Sequence, residues 1–224
     1  MKSTLRQAYR HVIPRSLRNA VLVRRRAPLW HKAGLIFIHV PKNGGTSINR
    51  ALYGQFMGHV TLAEIRRYGS RSIQKLPTLA LSRNPWDRAL SAYNFVRASK
   101  TMRDGAQISH PERYRIRSFE SFERFVLEWL PQQDLGRADN VFRTQIEFIR
   151  GPVTAVEVSY LARLEDMNHA TAILSHALGR AVEIPVLNRT QTGRDYRVAY
   201  TPAMVEMIAS IYSEDVKVLG YDFE

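Results

Sequence analysis

The chain has 224 residues, 45% hydrophobic and 24% charged, with a formal net charge of +13 and no cysteine. That length and balance describe one globular domain with a full core, and no stretch approaches the roughly 20 apolar residues of a membrane span. Without cysteine there are no disulfides, no thiolate catalysis and no Cys–zinc site, and a reducing compartment is expected.

The chain opens on a basic segment. Residues 1–32 carry Lys2, Arg6, Arg10, Arg15, Arg18, Arg24, Arg25, Arg26 and Lys32 with no acid, and the first acid of the chain is Glu64. The segment has no apolar h-region or cleavage site, so it does not read as a secretory signal. Leu5, Tyr9, Val12, Ile13, Leu17, Val21 and Leu22 recur at near-helical spacing, interrupted by Pro14. Two readings stand: a helix pair that binds an anionic lipid surface, or a solvated basic arm packed loosely on the domain. Nucleic acid is not expected, because no aromatic–basic interleaving or recognition motif accompanies the charge. The division expected is a basic arm over residues 1–32 and one domain over residues 33–224.

Leu35 to Val40 reads as a buried parallel strand interrupted only by His39. Pro41 stops it. Gly44 and Gly45 allow positive φ and close backbone approach, and a helix runs over residues 47–53. A strand feeding a glycine turn and a helix start makes an anion cradle, because free N–H groups and the helix dipole both favour negative charge there. Lys42 adds a cation; Thr46 and Ser47 add hydroxyls. The turn is not a nucleoside-triphosphate P-loop, since Lys42 precedes the glycines and no Gly-Lys-[Ser/Thr] occurs in the chain.

Thr61 is the expected N-cap of the next helix, with Glu64 as its capping-box partner. Residues 76–82 form a second apolar strand. It ends in Arg83-Asn-Pro-Trp-Asp-Arg88 and a helix over residues 89–96, with Ser91 eight residues beyond Arg83. Two successive strands thus end in anion-binding groups, and in open α/β sheets that edge is where ligands bind. Asp87 could form a structural pair with Arg83 or with Arg88, and the pair with Arg88 is the one expected. Residues 97–117 read as a polar loop region, a candidate acceptor-binding insertion that includes His110. Residues 118–130 read as a helix, 140–148 as a possible second, and 153–158 as a strand that 160–163 extends or follows. Residues 166–178 form a helix ended by Gly179, and 201–218 a last helix with Pro202 in its first turn. Strands alternating with helices predict a three-layer parallel α/β sheet.

Pro41-Lys-Asn-Gly-Gly-Thr-Ser47 resembles the 5′-phosphosulfate-binding loop of sulfotransferases, and Arg83-Asn-Pro-Trp-Asp-Arg-Ala-Leu-Ser-Ala-Tyr93 resembles their 3′-phosphate-binding segment. Leu187-Asn-Arg-Thr190, Tyr200-Thr-Pro202, Ile211-Tyr-Ser-Glu-Asp-Val216 and Leu219-Gly-Tyr-Asp-Phe223 are similar to the end of the carbohydrate branch. The likeness spans residues 35–223. It implies a sulfotransferase fold with a P-loop-like nucleotide-binding core. It also implies transfer of a sulfuryl group from 3′-phosphoadenosine 5′-phosphosulfate (PAPS) to a carbohydrate or glycolipid hydroxyl, leaving 3′-phosphoadenosine 5′-phosphate. Golgi members of the family carry an N-terminal membrane anchor. None is seen here, which implies a cytoplasmic, bacterial enzyme, peripheral at the inner membrane face if the basic arm binds lipid.

The resemblance assigns donor binding to Pro41, Lys42, Asn43, Gly44, Gly45, Thr46, Ser47, Arg83 and Ser91. Lys42 would stabilise the leaving phosphate, and Arg83 and Ser91 would grip the 3′-phosphate. A sulfuryl group carries less charge than a phosphoryl group, so no metal is expected. Gly58-His-Val-Thr61 resembles the segment where some glycan O-sulfotransferases place a catalytic histidine, making His59 the expected base. Glu64 is the alternative, although a helix cap explains it equally well. His39 reads as a core histidine. Arg194, in a basic loop over residues 188–194, is a candidate cofactor contact. Gln145 matches a glutamine of the family pattern without an evident role. Two other classes remain open at this level: a nucleotide kinase or NTPase, and a non-catalytic basic module that docks on membranes or nucleic acid.

Overall fold

Three short parallel strands carry the architecture: β1 (Ile36–Ile38), β2 (Thr78–Ser82) and β3 (Tyr160–Arg163), in the order β1-β2-β3. Phe37 lies opposite Leu79, and Ala80 opposite Leu161. Every residue of β1 and β2 is buried, which requires cover on both faces of the sheet. The computed structural model describes residues 14–98, 108, 111–151, 153, 156–184 and 195–224. Arg194, His110, residues 1–13 and most of the expected acceptor insertion lie outside the described residues.

The helices are α1 (Arg15–Ala33), α2 (Gly45–Tyr53), α3 (Leu62–Tyr68), α4 (Pro85–Ala98), α5 (Met167–Leu178), α6 (Pro202–Ile211) and α7 (Ser213–Leu219). α2 and α4 follow β1 and β2, so strand–turn–helix units alternate as the sequence predicts. The capping box of α3 forms: Glu64 N donates to Thr61 Oγ1, and Thr61 N to Glu64 Oε2. Asp166 caps α5 and Gly179 closes it in the left-handed conformation. Residues 15–32, expected as part of a basic arm, belong to a helix that packs on α2 and α3 and buries Val23 and Trp30 in the core.

Four expected elements differ. The strand over residues 153–158 does not form among its described residues, and the strand lies at Tyr160–Arg163. There Ala80 and Leu81 supply buried partners that local alternation cannot reveal. Residues 118–130 are not one helix but a chain of short helical turns, including a π turn at Phe125–Trp129. Ring packing dictates their path: Phe119, Phe125 and Trp129 all lie within 6.4 Å of the Phe142 ring, centroid to centroid. Of residues 140–148 only a single turn from Ile146 onward is helical. The last helix is broken at Tyr212 (φ −102°, ψ 29°), whose hydroxyl donates to Phe142 O. The break turns Asp215 inward, where its carboxylate accepts from Gln145 N at 2.8 Å and Ile146 N at 3.0 Å.

Candidate active site

The loop after β1 packs onto the loop after β2 through main-chain groups. Arg83 Nη1 donates to Lys42 O at 2.8 Å, and Arg88 Nε donates to Pro41 O at 3.1 Å. Lys42 sits at φ +71°, a conformation uncommon outside glycine. Gly44 follows at φ +70° as the N-cap of α2. Gly45 serves a different need: a Cβ there would stand 2.3 Å from His39 Cδ2 and 2.8 Å from His39 Nε2. Gly44 thus supplies the positive φ and Gly45 the close approach. No acid lies in the first turn of α2, so its dipole and the cation beside it are uncompensated there.

Arg83, Asp87, Ser91 and Phe95 are spaced by four and share one face of α4 and its approach. The two ends of that stripe touch the first loop: Arg83 meets Lys42 O, and the Lys42 ammonium lies 4.2 Å over the Phe95 ring. Ser91 is buried between them on the same face. The cation–π contact parks the ammonium at the loop. Burial, then Arg83 and Arg88, lower its pKa to about 8. Three cations therefore meet at the junction of the two loops, with Asp87 paired to Arg83, a charge balance that suits a multiply charged anion.

The expected Asp87–Arg88 pair is not what forms. Asp87 pairs with Arg83, Oδ2 to Nε at 2.8 Å, because the i, i+4 spacing puts them on one face. Arg88 points inward and donates to the carbonyls of Pro41, Val141 and Arg143. Asp87 and Lys42 O occupy Arg83 Nε and Nη1 and orient the guanidinium.

His59 and His39 lie together beside α2, ring centroids 4.4 Å apart. His59 Nδ1 is 2.9 Å from His39 O. A carbonyl only accepts, so Nδ1 carries the proton and the lone pair sits on Nε2. Burial lowers the His59 pKa to about 4 against a smaller upward pull from that carbonyl. His39 is also held neutral by burial and by His59, and its Nδ1 accepts from Asn49 Nδ2 at 2.9 Å. Glu64 has both carboxylate oxygens engaged, one by the Thr61 cap and one by Asn19 Nδ2 of α1.

Gln145 has a role that sequence reasoning missed. Its side chain is 1% exposed. Oε1 accepts from Asn43 Nδ2 at 2.7 Å and from Arg83 N at 2.9 Å, and Nε2 donates to Arg83 O at 2.8 Å. One amide thereby ties both loops. Asp215 fixes its backbone in turn, itself pushed up in pKa by burial. No local pattern marks Gln145, which stands between Thr144 and Ile146, and its partners are 62 and 102 positions away. No group of three or more His, Asp or Glu among the described residues is placed to hold a metal ion.

These features define an α/β protein in which two neighbouring strand ends bring cations, a helix N-terminus and a neutral histidine to one edge of a parallel sheet. The model of the sulfotransferase family matches residues 30–222, and the chain belongs to that family. It is accordingly an enzyme of sulfuryl transfer, and its helices and parallel three-stranded sheet are consistent with the α/β sulfotransferase fold. Comparison with curated proteins and with solved structures finds no match.

Proposed function

We propose that the chain is a PAPS-dependent O-sulfotransferase acting on a carbohydrate hydroxyl. The observation that carries the reading is the junction of the two loops, with Arg83 on Lys42 O and the Lys42 ammonium over Phe95. The donor set suits a bisphosphorylated nucleotide: a turn carried through positive φ by Lys42 and Gly44 into a helix N-terminus, an ammonium, and a guanidinium fixed on the same edge. When bound, PAPS supplies the activated sulfuryl group.

Lys42, with Thr46, Ser47 and the backbone of residues 43–45, holds the 5′ side of the donor and stabilises charge on the leaving phosphate oxygen. Arg83 and Ser91 hold the 3′-phosphate. His59 Nε2 accepts the proton of the acceptor hydroxyl, while its Nδ1–H remains on His39 O and keeps the ring oriented. Positioning and electrostatics supply most of the barrier reduction, as in phosphoryl transfer.

The test is incubation of the purified protein with radiolabelled donor and a panel of glycans, alongside thermal denaturation with and without donor. Label transfer and a donor-induced rise in midpoint are expected, both lost in Arg83→Ala. No transfer to any glycan together with no donor-induced shift overturns the proposal.

A further inference from the structure

The charge of this protein is segregated along the chain. Residues 1–86 contain sixteen lysines and arginines and one acid, Glu64, whereas the remaining residues contain seventeen against nineteen acids. Tertiary packing gathers the described helices of this segment: α1 lies against α2, α3 and the short helix Arg71–Gln74. Arg50, Arg67, Arg71 and Lys75 of these neighbours are exposed. The single acid is occupied by the Thr61 cap and Asn19, so no free carboxylate among the described residues of this segment offsets the cations.

The outer face of α1 adds a second observation. At 100° per residue, Leu17, Val21 and Pro28 fall on one narrow stripe opposite the buried Val23 and Trp30. All three are exposed, Leu17 at 54% and Val21 at 39%. Arg24 flanks the stripe on one side, Arg25 and Lys32 on the other, and all three are exposed. An apolar strip edged by cations, in a segment whose neighbouring helices also expose Arg50, Arg67, Arg71 and Lys75, fits an interface that is apolar below and anionic above. A soluble polyanion has no use for exposed leucine and valine. The opposite side of α1 reaches toward the candidate site, where Arg26 donates to the carbonyl of exposed Phe56, whose ring lies 5.3 Å from His59.

We infer that the outer face of α1, with the basic surface around it, docks this protein on an anionic lipid bilayer. The inserted groups are Leu17 and Val21, and the headgroup-binding groups are Arg24, Arg25 and Lys32. The inference does not depend on the donor or acceptor assigned above.

Co-sedimentation of the full chain, without donor or acceptor, is measured on phosphatidylcholine vesicles with and without 30 mol% phosphatidylglycerol. Binding is expected only with the anionic lipid and is expected to weaken with salt. Arg24→Gln/Arg25→Gln should bind about thirtyfold more weakly, since each cation near such a surface contributes about fivefold. Arg137→Gln/Arg180→Gln removes the same charge from exposed positions in the rest of the chain and should change binding less than threefold. Leu17→Asp/Val21→Asp should abolish binding at an unchanged thermal midpoint. Absence of binding, equal loss in both arginine pairs, or binding that survives Leu17→Asp/Val21→Asp and is displaced by duplex DNA or a soluble polyanion would overturn the inference.

Discussion

Replacing Gln145 by methionine keeps the volume and removes three hydrogen bonds. Asn43 Nδ2 retains Leu81 O at 2.6 Å, so the stranded groups are the Arg83 N–H and C=O. Each buried polar group left without a partner costs about 1–3 kcal/mol. The sum of about 2–6 kcal/mol is a large part of the roughly 5–15 kcal/mol that stabilises a domain. At about 2–4 °C per kcal/mol for a chain of this size, the midpoint should fall by about 5–20 °C. The loops should also lose their shared register, so donor affinity measured calorimetrically below the transition should drop at least tenfold. Gln145→Glu keeps both acceptor bonds but sets a carboxylate against Arg83 O. It should be destabilised at neutral pH and recover on mild acidification, when the protonated acid can donate. A Gln145→Met protein melting within about 2 °C of the parent with unchanged donor affinity would refute the claim that this amide couples the loops.

Lys42→Met should stabilise the empty protein near neutral pH while abolishing donor binding. The folded pKa, about 8, lies below the unfolded value of about 10.4, so the charged ammonium opposes folding below pH 8. The gain should fade between pH 8 and 10.5, which paired urea titrations would reveal, and donor affinity of the parent should weaken above pH 8. His59→Ala should bind donor normally and lose turnover, whereas Glu64→Gln, which can still serve the capping box, should keep turnover and lose about 0.3–1 kcal/mol with the carboxylate charge at the start of α3; unchanged turnover in His59→Ala would move the base to Glu64. With His59 titrating near 4, turnover should stay flat from about pH 5 to 8 in a pH–rate profile. Gly45→Ala should cost about 1–3 kcal/mol by overpacking against His39 and Phe37 and should weaken donor binding; a neutral result would mean the cradle has slack.

The strand–turn–helix units after residues 35 and 76, the α3 capping box and the α5 termini are all legible in the chain. Each is decided by groups within a few positions of one another: an apolar run, a stop at proline, glycine where φ turns positive, a hydroxyl three residues before a carboxylate. The same locality made Lys42, Gly44, Gly45 and Arg83 recognisable as candidates for holding an anion. What the chain could not disclose is which of the available partners burial would select. Asp87 chose Arg83 over Arg88 because helix spacing opposes neighbours, while buried carbonyls at Pro41, Val141 and Arg143 claimed Arg88. Gln145 acquired its meaning only when the loops after β1 and β2 met around it, and the last helix broke at Tyr212 to deliver Asp215 beneath that amide. Local spacing fixes which groups are available; burial decides which of them must find each other, because an unpaired polar group in the interior costs more than a bent helix.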